Sequence, residues 1–252
     1  MDNRKMLGID LGGSGFRVGV FDSVSGKNIW KFIEIDHGAS RHPDVVLPRI
    51  CSVLSTLQWN GPIGLGFPGA VEGHDILSAP NIGQEWLDAA VVQVLEQCCG
   101  GPVTLVNDAD AVAIAEHQFG AGHGENGTLL TLTIGTGLGT TVHENGTLIP
   151  NLEYGLRPHP TREGTLEDHV SGRARRVFDL TLIEWAERFQ EGIDHLCEQL
   201  TPDRIVLYGG IMEHWSKLRA LIRAPCPLLP AIHTNTAGAL GAAFCSVQTS
   251  EP

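Results

Sequence analysis

Four short segments carry residues that could hold phosphate and move a proton. They are Asp10-Leu11-Gly12-Gly13-Ser14-Gly15, Asn107-Asp108-Ala109-Asp110, Thr133-Ile134-Gly135-Thr136-Gly137-Leu138-Gly139-Thr140-Thr141 and Ile205-Val206-Leu207-Tyr208-Gly209-Gly210. Glycine turns leave backbone N–H groups uncovered by Cβ atoms, and such groups can wrap an anion. Gly12, Gly13 and Ser14 offer this in the first half of the chain; Gly135, Thr136 and Gly137 offer it in the second. Neither is a P-loop, because no Gly-Lys-Ser/Thr follows and each turn joins two strand-like runs. Phosphoryl transfer also needs a metal site and a base aimed at the acceptor hydroxyl. Asp10, at a strand end, is a candidate Mg²⁺ ligand, with an Asx-turn as the ordinary alternative. Asp108 is the candidate base and Asn107 a candidate hydroxyl contact. The same pair suits the cap of the helix that follows, and Asp110 its first turn.

The elements that must position these groups alternate between strands and helices. Apolar patterning predicts strands over residues 6–11, 16–21, 63–66 and 103–106, and helices over 44–59, 86–98 and 109–119. After a glycine-rich connector the pattern restarts: strands over 128–134, 138–143 and 147–149, with Asn145-Gly146 as a type I′ hairpin signal. Helices over 166–178 and 183–200, a strand over 204–208 and a small-residue helix over 236–244 complete it. A carboxylate at the carboxyl end of a parallel strand lies where open α/β sheets bind ligands. The repeat predicts two related α/β lobes around a central cleft, residues 1–115 and 116–252. It leaves open whether the last helix packs back on the first lobe.

Composition narrows the classes. The chain has 252 residues, 42% apolar, enough for a substantial core. A net charge of −12 opposes binding to nucleic acid or an anionic membrane, so neither partner is expected. It also requires that a polyanionic donor be met by local cations. The six cysteines form no C-x-x-C pair and read as free thiols of a cytoplasmic protein. The strand-like run begins by Met6, so no signal peptide is expected, and no apolar stretch approaches the roughly 20 residues a membrane span needs.

The sequence resembles the ROK family of sugar kinases, and within it the short polyphosphate-using glucokinases. The matching stretches include residues 10–15, Gly66-Phe67-Pro68-Gly69, Ala79-Pro80-Asn81-Ile82-Gly83, residues 106–110 and 135–139. Glu153-Tyr154-Gly155, residues 166–172 and Asn235-Thr236-Ala237-Gly238 match as well. The resemblance implies the actin/hexokinase-like fold of two ribonuclease-H-like lobes. It implies transfer from polyphosphate or ATP to a hexose hydroxyl with Mg²⁺, in a homodimer. By residue, it implies Asp108 as base and Gly69, Asn81, Asn107, Glu153 and Glu167 as sugar contacts. Asp10 and the turns at Gly12-Gly13-Ser14 and Gly135-Thr136-Gly137 would face phosphate and Mg²⁺, and Gly209 and Gly210 the nucleotide side.

One departure bears on the acceptor. Leu156 stands where the family carries a sugar-contacting, zinc-ligating His, and residues 156–166 contain no cysteine, so no structural zinc is expected. His159 or His169 could substitute, though surface histidines explain both; His37, His42 and His74 read as ordinary loop residues. A kinase for fructose, mannose or an N-acetylated hexosamine, and a non-catalytic sugar-binding regulator, remain the alternatives. Arg157, Arg162, Arg173, Arg175 and Arg176 form a cationic group that could track a polyphosphate chain or simply be solvated.

Overall fold

The structure is a computed structural model and describes residues 4–248. Its strands are β1 (Lys5–Leu11), β2 (Gly15–Asp22), β3 (Ile33–Asp36), β4 (Ile63–Phe67), β5 (Val71–Glu72), β6 (Asp75–Ile76), β7 (Val103–Asn107), β8 (Thr128–Ile134), β9 (Leu138–Glu144), β10 (Thr147–Ile149), β11 (Arg204–Gly209) and β12 (Leu228–Pro230). Its α-helices are α1 (Pro43–Thr56), α2 (Val91–Cys99), α3 (Asp108–Phe119), α4 (Leu166–Val170), α5 (Gly172–Val177), α6 (Leu182–Leu200), α7 (Trp215–Leu218) and α8 (Ala237–Gln248). The chain divides into two compact units, Met1–Ala115 with Asn235–Pro252, and Glu116–Thr234. Among the described residues no helix is long and apolar enough to cross a membrane.

The first unit is built on a five-stranded sheet ordered β3-β2-β1-β4-β7. β1 runs antiparallel to β2 and parallel to β4, which is parallel to β7. The sequences of β1 and β4 say which face goes where. Leu7, Ile9 and Leu11 alternate with Gly8 and Asp10, and Ile63, Leu65 and Phe67 alternate with Gly64 and Gly66. The large residues join one core with Val46, Leu47 and Ile50 of α1 and Val91 and Leu95 of α2. The glycines face α8, whose backbone comes so close that a Cβ at Gly8 would overlap the Ala239 carbonyl. Period-two alternation thus sorts the large apolar residues to one helical layer and, to the other, glycines and Asp10.

The second unit repeats this order. Its sheet runs β10-β9-β8-β11-β12, again an antiparallel trio continued by parallel strands. Leu130, Leu132 and Ile134 of β8 pack with Trp185, Phe189, Ile193 and Leu196 along one face of α6. α6 is started by a capping box, with Thr181 accepting from the Glu184 N–H and the Glu184 side chain accepting from Thr181 N–H. Asn145 and Gly146 both have positive φ, 51° and 78°, which is the type I′ geometry their pairing predicts.

Three expectations need correction. Residues 86–98 do not form one helix: Trp86 is fully buried in a 3₁₀ turn, its Nε1–H donating to the Arg41 carbonyl at 2.9 Å, and α2 starts only at Val91. Residues 166–178 break at Ser171, which is extended at ψ 163° and caps α5 through Oγ. The cysteines are not all free. Cys51 of α1 and Cys98 of α2 are disulfide-bonded across 47 residues of sequence, with Cα atoms 5.5 Å apart. No spacing motif marks this pair, because two helices packed on one sheet face bring it together. The strands β3, β5, β6 and β12 and the helix α7 carry too few patterned residues to be foreseen.

Candidate active site

In the first unit the candidate residues gather at one edge of the sheet, the carboxyl ends of β1, β4 and β7. The register sets Asp10 beside Gly66, Gly66 beside Val106, and Phe67 beside Asn107. Two strand spacings, about 10 Å, therefore separate the backbone of Asp10 from the start of the Asn107-Asp108 pair. Asn107 is buried and closes the strand-to-helix step. Its Oδ1 accepts from the N–H groups of Ala109 (2.9 Å) and Asp110 (3.1 Å), and its Nδ2 donates to the Gly69 carbonyl (3.0 Å). Asn107 is thus the N-cap of α3. Asp108 follows it, half-buried, with Oδ1 accepting from Ala109 N–H at 2.8 Å. Asp110 is buried in the first turn.

Asp10 is buried, and burial pushes its carboxyl above the ordinary value, opposed by the Arg17 guanidinium beside it. Arg17 Nη1 donates to Asp10 Oδ2 at 2.9 Å. Sequence reading missed Arg17, although the hairpin register sets it directly opposite Asp10 once the turn is placed at residues 12–14. On the far side Asp10 meets the first turn of α8: a Cβ on Gly238 would lie 2.7 Å from the Asp10 Cγ. Here Gly is needed for close approach.

The first turn is closed by Gly12 N–H donating to Gly15 O at 2.8 Å, with Ser14 exposed at its tip. A Cβ on Gly13 would stand 2.7 Å from the Asn81 carbonyl, so the exposed Asn81 segment lies directly against this turn. That carbonyl also accepts from Arg41 Nη1 at 3.1 Å. Gly69 is pressed on Ser78, whose carbonyl a Cβ would meet at 1.9 Å. Asp10, Gly12, Gly13, Ser14, Gly69, Asn81, Asn107 and Asp108 therefore share one edge of one unit.

The second unit gathers the rest at the corresponding edge of its own sheet. Gly135, Thr136 and Gly137 link β8 to β9, with Gly135 N–H donating to Gly137 O at 3.1 Å. Glu167 of α4 braces this turn: its Oε2 accepts from Leu138 N–H at 2.9 Å and lies where a Gly137 Cβ would be. Gly172 abuts the Gly135 carbonyl, 2.7 Å from a would-be Cβ, just after the helix break at Ser171. Gly155 packs on the Leu138 carbonyl and carries the exposed Glu153 and Leu156 on either side. Gly209, at φ 124°, ends β11 against Ile134, and among the described residues nothing stands within 4 Å of a Cβ at Gly210.

The arginine group is less available than its sequence suggests. Arg157 lies 3.6 Å over the Tyr154 ring and donates to Gln199 Oε1 at 3.0 Å, and Arg162 is paired with Glu191. Arg173 approaches Glu167 at 3.6 Å, while Arg173 and Arg176 are exposed on α5. His159 is buried with its ring edge-on to His169, centroids 5.0 Å apart, so the surface reading of His159 is wrong.

Residues 6–152 match the ROK family. The polyphosphate glucokinase of Mycobacterium tuberculosis is 34% identical over 245 residues, covering 97% of this chain and 92% of that protein. Among solved structures, the inorganic polyphosphate/ATP-glucomannokinase of Arthrobacter sp. strain KM superposes with a TM-score of 0.88 at 30% identity, covering 98% and 99% of the two chains. A ROK family glucokinase of Streptomyces griseus shares the fold, with a TM-score of 0.79 at 23% identity over 97% of this chain and 99% of its own. With a family match across both glycine turns and a relative aligned nearly end to end, this chain belongs to the ROK family.

Proposed function

We propose that this chain is a sugar kinase that moves the terminal phosphoryl group of polyphosphate or ATP to a hexose hydroxyl, glucose giving glucose 6-phosphate. The observation that carries the roles is the division of labour at the start of α3. Asn107 spends its side chain on the cap and on Gly69, and so fixes the peptide from which Asp108 projects. Asp108 takes the hydroxyl proton as the sugar oxygen bonds to phosphorus. The bridging P–O bond breaks, and its electron pair leaves on the shortened polyphosphate or on ADP. The N–H groups of the turns at Gly12-Gly13-Ser14 and Gly135-Thr136-Gly137 hold donor oxygens, and on the nucleotide side Gly209 packs against Ile134 while Gly210 leaves room. Asn81 and Glu153, both exposed, serve as hydroxyl contacts, with Glu167 placing its turn.

Mg²⁺ belongs to this reading. Among the described residues no group of three or more His, Cys, Asp or Glu converges on a metal position. A single carboxylate fits Mg²⁺ all the same, because kinase sites take most of its ligands from substrate phosphates and water. Asp10 would hold it, and the bound ion would neutralise charge on the donor. The reading further includes a cytoplasmic setting and a homodimer.

A matrix of donors (ATP, GTP, polyphosphate) against glucose, mannose, fructose and N-acetylated hexosamines tests the assignment. Transfer to glucose from polyphosphate or ATP is expected; binding of sugar without transfer from any donor would leave only the regulator. The exposed Leu156 is the reason to include the other hexoses. The same assay tests the donor track. Arg173→Gln combined with Arg176→Gln should raise KM for long polyphosphate about tenfold, the cost of roughly 1.4 kcal/mol of phosphate contact, and move KM for ATP by less than about threefold. Equal effects on the two donors would remove the α5 arginines from the track.

A further inference from the structure

We propose that His37 is a positioning residue for the first glycine turn, pinning its carbonyls so that its remaining N–H groups stay presented to donor phosphate. The inference rests on the reading of that turn as a phosphate holder. His37 makes two bonds to it, each 2.8 Å: its backbone N–H donates to Ser14 O, and its ring Nε2 bonds Gly12 O. A carbonyl can only accept, so Nε2 carries the hydrogen. Gly15 O is meanwhile taken by Gly12 N–H. Three carbonyls of the turn are thus fixed, whereas among the described residues no backbone bond uses the N–H of Gly13 or Ser14.

Burial makes this arrangement specific. His37 is 6% exposed, and its Nδ1 is buried with no hydrogen-bond partner among the described residues. A buried nitrogen left unbonded is a cost that packing alone does not explain, since an apolar side chain would avoid it. What the ring contributes is the Nε2–H on Gly12 O. The residue is itself anchored: Arg49 of α1 donates from Nη1 to His37 O at 2.9 Å and from Nη2 to Asp36 O at 2.6 Å. The brace therefore runs from α1 through the end of β3 to the turn. The β1–β2 ladder continues to Leu11 and Phe16 without it, so its removal loosens the tip and leaves the hairpin paired.

Steady-state kinetics with polyphosphate and glucose varied in turn test this. His37→Leu should raise donor KM at least tenfold and lower kcat severalfold, with sugar KM within twofold. His37→Gln, whose amide can donate to the same carbonyl, should recover most of the loss. An unchanged donor KM in His37→Leu overturns the inference, as do equal rises in both KM values or no recovery with Gln. Gly12→Ala separates the two readings, because among the described residues its Cβ would meet Gly15 O alone, at 3.6 Å, and the fold should tolerate it. If that variant raises donor KM while His37→Leu does not, the phosphate turn stands and only the role of His37 falls; if neither does, both fall. Should His37→Leu fail to fold, ¹⁵N NMR of the unaltered protein decides. The Nε2–H tautomer, with its resonance shifting on addition of tripolyphosphate, is expected; an Nδ1–H tautomer or an unmoved resonance overturns the proposal.

Discussion

Asp108→Asn should lower kcat by about 10²- to 10⁴-fold, the range that one positioned general base contributes. KM for sugar should stay within about threefold and the unfolding free energy within about 1 kcal/mol of the parent, as for a carboxylate-to-amide change of the same shape. The expectation follows from how the two neighbouring residues divide their work. An asparagine oxygen can still accept from Ala109 N–H, the bond Asp108 Oδ1 makes at 2.8 Å, so the local backbone has no reason to move. What the change takes from the reaction is the ability to accept a proton. Asn107→Ala is the crossed control. It removes the cap of α3 and the tie to Gly69, so it should cost stability, about 1 kcal/mol for the cap and more for the buried partner left unbonded. A stable Asp108→Asn enzyme that turns over near the parental rate would dismiss Asp108 as the base. The isothermal binding of glucose to that variant shows whether the sugar contacts survive the change.

The same contrast shows what the sequence could and could not disclose. Asn107-Asp108 after a four-residue apolar run announced a strand ending in a helix, and the structure places that step at Asn107. Which of the two caps was open, because either side chain can; only the distances assign the cap to Asn107. Both glycine turns were legible because Gly-rich segments between β-patterned runs have few other readings. The Asp10–Arg17 pair was in principle countable from the hairpin. His37 was not: nothing in a lone loop histidine says that the chain folds it back onto a turn 25 residues earlier. The Cys51–Cys98 bridge escaped for the same reason, since its proximity is created by two helices sharing one sheet face. Glu167 was expected at the sugar on resemblance, and its bond to Leu138 N–H gives it a second task that no motif encodes. Long-range contacts, more than element types, are what sequence pattern leaves out.

The glycines of β1 and β4 are the place where pattern and tertiary packing meet, and they carry the second large prediction. Gly64→Ala should destabilise the protein by about 3 kcal/mol or more, at or beyond the top of the usual overpacking range. A Cβ there would lie 1.7 Å from the Ala242 carbonyl oxygen and 2.3 Å from its carbon. Both atoms belong to the backbone of α8, so no side chain can rotate away and the whole helix has to lift. Gly66, two residues along the same strand, supplies the comparison. Its Cβ would first meet Ile9 O at 3.6 Å and the Ala111 side chain at 3.7 Å, ordinary contacts, so Gly66→Ala should change stability by less than about 1 kcal/mol. Urea unfolding of the two variants reads the difference directly; equal midpoints would mean that strand propensity, and not the approach of α8, governs these positions. The displacement should also reach the chemistry. The first turn of α8 carries Gly238, whose backbone lies against the Asp10 carboxylate, so a lifted helix removes one wall from the group assigned to Mg²⁺. Gly64→Ala, assayed at a temperature where it is still folded, should therefore lose kcat at fixed Mg²⁺ and require more of the ion to reach its maximum. Gly66→Ala should show the parental Mg²⁺ dependence.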